Sequence, residues 1–261
     1  SLMEYRKIIG FGNSSFVVSI PKGWIMKNRL KRGDVVVLDE RPTEIVLTPK
    51  DASERRQFNE AVIKAAGKTI AELKTEITAL YVNNYDIVIV SDPGSLAKDI
   101  KEVLRGLAGM EIIEESASKI VAKDMLDMKE VSIGNILRRV DTIIRSMLED
   151  SKDFNVAEAE SIYERDKEVN RLTLLGFRAT RAAADNPRLL RLFETTYWNM
   201  LVAKQTLTHL ERFGDQIKRL LRLVKEKATD NAKFKEFKEL YAKIDQQYEA
   251  VMKTFYTKEK T

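Results

Sequence analysis

The stretch Gly10-Phe-Gly-Asn-Ser-Ser-Phe-Val-Val-Ser-Ile-Pro-Lys-Gly-Trp24 decides between two folds. Two glycines one residue apart, followed by Asn-Ser-Ser, could cradle a nucleotide phosphate. They could equally form the tip of a β-hairpin. The glycine fingerprint for dinucleotides needs a third glycine at the start of a helix. Here Asn13, Ser14 and Ser15 lead instead into the β-branched run 16–20. Gly12 or Asn13 at a hairpin tip explains the residues better, because both types accept positive φ. The sequence also lacks Gly-x-x-x-x-Gly-Lys-Ser/Thr, Gly-x-Ser-x-Gly, His-Glu-x-x-His and kinase motifs, so no enzyme is expected.

Working outward, strands are expected over 16–20, 34–38 and 44–48. Turn signals at Gly12-Asn13, Pro21, Arg32-Gly33-Asp34 and Arg41-Pro42 bound them. A short helix is expected over 24–30, giving the order strand, strand, short helix, strand, strand. Four short strands in fewer than 50 residues bury too little apolar area to be stable alone, so dimerisation is the natural remedy. Charge adds to this picture. Residues 1–50 carry nine basic and five acidic side chains, a net +4 within a chain of net charge +5. Up to Arg32 the count is seven against one. A basic patch in so short a segment is an electrostatic footprint for a polyanion, although a solvated face would give the same count.

The 261 residues suffice for about two domains of ordinary size. No apolar run approaches the roughly 18 residues that cross a bilayer, and no apolar segment follows a basic start. Neither membrane insertion nor a signal peptide is expected. With no cysteine there are no disulfides or thiolate metal sites, which fits a cytoplasmic protein. The single histidine, His209, argues against zinc sites and reads as a surface residue. Ser1-Leu2 reads as an addition ahead of a native start at Met3.

Three domains are expected: 3–50, 51–128 and 129–261. The second opens with apolar residues at helical spacing, Phe58, Val62, Ala65/Ala66, Thr69/Ile70 and Leu73. The segment 76–81, a polar corner at Asn83-Asn84, a buried strand over 86–90 and a helix through Leu107 come next. Strands over 110–114 and 119–123 complete a small α/β sandwich. The third domain reads as an antiparallel helical bundle joined by short loops. Its first stripe is Ile133, Leu137, Val140, Ile144 and Met147/Leu148. A second helix carries Val156, Ala159, Ile162/Tyr163, Val169 and Leu172. Asn186 and Pro187 then suit the N-cap and first position of a long third helix. A fourth helix follows Thr229-Asp-Asn231. Tyr197, Trp198 and Phe213 read as core. The overall class is multi-domain α+β.

Two resemblances follow from these residues. Arg6-Lys7, Gly12-Asn13-Ser14, Val17 to Ile20, Pro21-Lys22 and Lys31-Arg32-Gly33-Asp34, with a strand ending at Thr48-Pro49-Lys50, resemble the AbrB/MazE-type swapped-hairpin DNA-binding domain. The resemblance implies that two chains interleave their hairpins into one β-barrel. It also implies that Arg6, Lys7, Lys22, Lys27, Arg29, Lys31 and Arg32 meet the phosphates of double-stranded DNA. Gly23-Trp24 follows Pro-Lys where the family more often has an acid. The third domain resembles the PhoU family of phosphate uptake regulators. The matching pieces are Leu137-Arg-Arg-Val-Asp141, Tyr163-Glu-Arg-Asp-Lys-Glu-Val-Asn-Arg-Leu172 and Leu210-Glu-Arg-Phe-Gly-Asp215. The combination, including Leu107-Ala-Gly-Met-Glu-Ile-Ile-Glu-Glu115, is similar to archaeal PhoU-like regulators.

The acidic pieces have a physical reading of their own. Glu211 and Asp215 are four apart and project from one helical face, and Asp166 and Asn170 repeat the spacing. Antiparallel helices turning at Asn186 would bring residue 166 level with 206–211. Four oxygen-bearing groups would then converge, a donor set suited to divalent or iron-type metal ions rather than zinc. The PhoU resemblance implies the same, since its acidic motif is associated with metal clusters. Ion pairs with Arg165, Arg171 and Arg212 are the alternative. Gly214, inside the helix, implies close approach by a neighbouring helix or an ion.

These readings make the chain a homodimeric, DNA-binding transcriptional regulator linked to phosphate homeostasis. An alternative is a scaffold that binds a phosphate transporter or signalling protein and uses 3–50 only to dimerise. A third is an antitoxin-like partner protein.

Overall fold

The structure is a computed structural model that describes residues 4–40, 43–50, 58–152, 159–186, 188–227 and 231–258. The expectations at Met3, Arg41-Pro42, Val156, Pro187 and Thr229-Asp230 fall outside the described residues. The chain divides into two compact units, Ser1–Gln57 and Phe58–Thr261.

In the first unit, β1 (Ile9–Phe11) and β2 (Ser15–Val17) form an antiparallel hairpin with Phe11 opposite Ser15. Gly12 at its tip has φ +69°, the left-handed value that a side chain resists. Helix α1 (Lys22–Lys27) starts directly after Pro21, whose fixed φ suits a helix entry. A second hairpin pairs β3 (Val36–Glu40) with β4 (Ile45–Pro49). The order is the expected one, and the two hairpins remain separate two-stranded sheets.

The second unit begins with β5 (Glu60–Lys64), α2 (Ile70–Val82), β6 (Ile87–Ser91), α3 (Ala97–Arg105), β7 (Met110–Glu115) and β8 (Lys119–Asp124). Its sheet has the order β5-β6-β8-β7, with β5 parallel to β6 and the other neighbours antiparallel. The expected helix from Phe58 is overturned, because β5 occupies its first turns. Ile63 and Ala65 are buried while Val62 is exposed, a period of two rather than 3.6. The helix starts instead at Ile70. There Thr69 and Glu72 form a capping box: Glu72 N donates to Thr69 Oγ1, and Thr69 N donates to Glu72 Oε2 at 2.8 Å. Thr69-Ile-Ala-Glu72 was the available signal for that boundary. One face of the sheet buries Ile63, Val88, Val90, Ile120 and Ala122 with Leu73, Ile77, Ile100 and Leu104.

Helices α4 (Ile133–Ser151), α5 (Ala159–Asp185), α6 (Arg188–Leu192), α7 (Tyr197–Lys227) and α8 (Asn231–Lys258) follow. Ser132 caps α4 by accepting from Asn135 N. The stripe Ile133, Leu137, Val140, Ile144, Met147 and Leu148 is wholly buried, as expected. At about 1.5–3 kcal/mol per buried aliphatic side chain, that stripe alone anchors α4. Helices α4, α5 and α7 pack on one another. Helix α8 is attached by two tyrosines: Tyr241 Oη donates to Leu148 O, and Tyr248 Oη donates to Asp141 Oδ1 at 2.7 Å.

The long third helix is corrected in one respect. It is split into α6 and α7, although Asn186 Oδ1 does accept from Arg188 N as a cap should. The reversal therefore occupies 186–196 instead of pivoting at Asn186. Tyr197 and Trp198, expected in the core, are exposed at the start of α7, and Phe213 stacks on Tyr248 at 5.1 Å. The fold is thus multi-domain α+β, with small sheets in its first half and a helical C-terminal part.

Candidate nucleic-acid interface

Local structure gathers the seven predicted DNA-contacting cations around α1, and all seven are exposed. Lys22 opens the helix and Lys27 closes it. Arg29 follows at φ +53°, held by its N–H to Met26 O. Lys31 and Arg32 lie in a turn closed from both sides: Lys31 N donates to Asp34 Oδ2 at 2.8 Å, and Asp34 N donates to Lys31 O. Arg6 pairs with Glu4 and reaches Ser19 Oγ at 3.4 Å, which ties the lead into β1 to the segment before α1. Lys7 is exposed beside it. No acid lies within α1, so its surface keeps one sign of charge. Such cations gain affinity for a polyanion by counterion release, and they position a duplex without reading its sequence.

The same unit is short of a core. Among its described residues only Pro49 is buried. Phe11 and Phe16 are 70% and 77% exposed, and Ile8, Val35, Leu38 and Ile45 are exposed with them. An apolar surface of this density on so small a unit marks an interaction site.

The second predicted site is brought together in part. Asp166 on α5, and Glu211 and Asp215 on α7, do share one neighbourhood, and Asn170 Nδ2 lies 3.4 Å from Asp166 Oδ2. The offset differs from expectation: Asp166 is level with 214–218, because the wide reversal shifts α7 along α5. Gly214 leaves room there, since a Cβ would stand 3.0 Å from Ile144 Cδ1 of α4 and 3.8 Å from Asp166 Oδ1. Sequence reasoning missed Lys218. Its ammonium bridges Asp166 Oδ2 at 2.5 Å and Asp215 Oδ1 at 2.7 Å. Its spacing, three beyond Asp215 and seven beyond Glu211, was the signal that could have found it.

Burial would lower the Lys218 pKa, yet its bonds to the two carboxylates outweigh that and raise it. The Glu211 carboxyl is pushed up, first by burial and then by the charges of Asp215 and Asp166. Among the described residues no group of three or more His, Cys, Asp or Glu side chains is arranged to hold a metal. In the arrangement seen, one lysine bridges two of the three carboxylates. The alternative partners go elsewhere: Arg165 to Asp150 and Arg171 to Glu168. His209 is exposed beside Gln205, as expected.

A third polar constellation had no sequence signal. Arg178 on α5 is fully buried and pairs with Asp124 at the end of β8, Nη2 to Oδ2 at 2.6 Å. It lies over the Tyr81 ring at 4.6 Å and reaches Asn84 Oδ1. Tyr81 Oη donates to Ala108 O, and burial pushes its pKa up to about 12. These groups bolt the sheet to the helices. Beside them an open cleft of about 730 Å³ is lined by Glu60, Leu80, Tyr85, Arg181 and Asp185 among others.

The first unit is thus a basic, exposed and core-poor pair of hairpins. Residues 11–55 match the family model described as Antidote-toxin recognition MazE, bacterial antitoxin, so the N-terminal domain is of MazE/AbrB type. That type suggests DNA binding and dimerisation. The searches of curated proteins and of solved structures gave no match. No described helix is long and apolar enough to cross a membrane.

Proposed function

We propose that the protein is a homodimeric, DNA-binding transcriptional regulator. Two N-terminal units interleave their hairpins into one barrel, and Arg6, Lys7, Lys22, Lys27, Arg29, Lys31 and Arg32 of each chain grip the duplex backbone. The observation that carries this reading is the N-terminal unit itself, with seven exposed cations on a body that has almost no core of its own. Replacing Arg6, Lys7, Arg29 and Arg32 together by Ala tests it. Each lost phosphate contact reduces the salt slope of binding by about 1, so the slope should fall by about 4 per protomer. Unaltered affinity in that variant would overturn the reading.

The helical part is read as a PhoU-like sensory bundle, which links the regulator to phosphate uptake and homeostasis. Support comes from the resemblance at Tyr163–Leu172 and Leu210–Asp215, whose acidic residues do meet across α5 and α7. A divalent or iron-type cation held by Asp166, Asn170, Glu211 and Asp215 would have to displace the Lys218 ammonium. Elemental analysis of the purified protein tests this. Genome-wide mapping of bound DNA at high and low phosphate tests the physiological link.

A second reading is a scaffold for a phosphate transporter or signalling protein. It is favoured by the exposed apolar face of α7, formed by Tyr197, Trp198, Leu201 and Val202. Pull-down with Trp198→Ala against the unmodified chain separates the two readings. The antitoxin reading has the matched family's description behind it.

A further inference from the structure

Strand β5 stands at one edge of the second unit's sheet. The opposite edge, β7, is protected: a register irregularity at Ile112/Glu114 bends it, and Glu111, Glu114 and Glu115 line it. β5 has no bulge and no proline. Its even residues point one way, with Glu60 and Lys64 exposed and Val62 65% exposed.

The backbone has a matching parity. The Asn59 carbonyl accepts from Asp86 N and Ile87 N, and Ala65 N donates to Ser91 O at 2.9 Å. These odd-numbered peptides face β6. Peptide direction alternates along a strand, so the N–H and C=O groups of Glu60, Val62 and Lys64 face the outer edge.

We infer that β5 pairs antiparallel with β5 of a second copy about a two-fold axis at Val62, making one continuous eight-stranded sheet. The register follows from charge. Centring on Val62 sets Glu60 opposite Lys64 of the partner subunit, and Lys64 opposite the partner's Glu60. Val62 meets its own image. All three outward residues then form hydrogen-bonded pairs that exchange both backbone bonds. A parallel pairing would set Glu against Glu and Lys against Lys, which is unfavourable. The same operation on β7 would add a bulged, acidic strand to its own copy.

Tethering favours the contact, and here the inference rests on the dimeric reading of the N-terminal unit. Only residues 51–57 separate Lys50 from Phe58. Seven residues span at most about 25 Å. Two paired N-terminal units would therefore hold the second units at an effective concentration on the order of millimolar.

The absence of cysteine makes the test direct. In the full-length chain, Val62→Cys places two thiols on the two-fold axis. Residues in a hydrogen-bonded antiparallel pair lie about 5.5 Å apart at Cα, inside the range a disulfide bridges. Under mild oxidation this variant should cross-link to itself at least ten times faster than Ile113→Cys on β7. Adding Glu60→Lys turns both cross-strand pairs repulsive and should slow it about tenfold. Adding Lys64→Glu as well restores complementarity and should return the rate.

Cross-linking no faster at Val62→Cys than at Ile113→Cys, or unmoved by charge reversal, would overturn the pairing. So would capture of a different polypeptide in place of the chain itself. Sedimentation of the unmodified chain keeps the two readings apart. A dimer whose Val62→Cys fails to cross-link sinks the β5 pairing alone, whereas a monomer sinks it together with the dimeric N-terminal unit.

Discussion

The first unit and the second solve the problem of burial differently. In residues 58–261 the apolar residues close over one another, and Val140, Ile144, Met147, Ile162, Val169 and Leu207 have no measurable exposure. In residues 4–50 most large apolar side chains are exposed, Trp24, Ile25 and Leu47 being among the half-buried ones, and the two hairpins form separate sheets. Both carry β-branched residues and well-formed turns, so local propensity does not separate them. Size does. A short segment of small hairpins cannot surround its own apolar side chains, whereas some 200 residues can. The second unit encloses a core, and the first leaves most of its apolar residues exposed.

Four experiments press on that contrast. The largest effect is expected where the second unit depends on a buried charge pair. Arg178→Met strands Asp124 in the interior and should cost about 3–5 kcal/mol in denaturant unfolding, leaving the N-terminal unit untouched. A loss under 1 kcal/mol would mean that the joint is held by packing alone. In the N-terminal unit the sensitive quantity is association. Phe16→Ala should weaken the dimer about 100-fold in sedimentation equilibrium, the equivalent of ~2.7 kcal/mol. If the dissociation constant does not move, the open apolar face lies outside the interface.

A smaller effect is expected at the lysine between the helices. Lys218→Met leaves Asp166 and its acidic neighbours uncompensated, for a loss of about 2 kcal/mol, less than for a fully buried pair because Lys218 is partly exposed. Millimolar magnesium or manganese should then restore thermal stability in the variant more than in the unmodified chain. Equal response in both would argue that the carboxylates hold no cation in either form.

The smallest effect concerns Glu211. A carboxyl whose pKa is raised in the fold binds its proton more tightly folded than unfolded. Its contribution to stability therefore grows as pH falls through the raised value and is complete below the ordinary 4.5. Glu211→Gln should stabilise the chain at neutral pH by a few tenths of a kcal/mol and flatten that part of the pH profile. Destabilisation at neutral pH, reproduced by chelators in the unmodified chain, would point instead to a bound metal.

Much of the architecture could be read in advance where a single element carried its own pattern. The α4 stripe, the Gly12 hairpin tip and the Asn186 cap all depend on residues within a few positions of one another. The reading failed where two patterns overlapped. Phe58, Val62, Ala65 and Leu73 mimic a helical face because Val62 lies on the exposed side of β5 while the others follow different rules. Phe58 and Val62 are both exposed, so two of these four positions belong to no buried face. The acidic cluster is visible as paired spacings, but the lysine that bridges two of its carboxylates falls outside those pairs. Arg178 and Asp124 are 54 positions apart and meet only through tertiary packing. No local pattern could announce them.

One connection within the second unit bears on how a signal could travel. Asn59 N donates to Asp86 Oδ2, Asp124 N donates to Asp86 O, and the Asp124 carboxylate holds Arg178 on α5. The three bonds are 2.8, 2.8 and 2.6 Å long, and Asn59 and Asp86 sit just ahead of β5 and β6. The series joins the helical layer to the first residues of the sheet, next to residue 58, where the second unit begins.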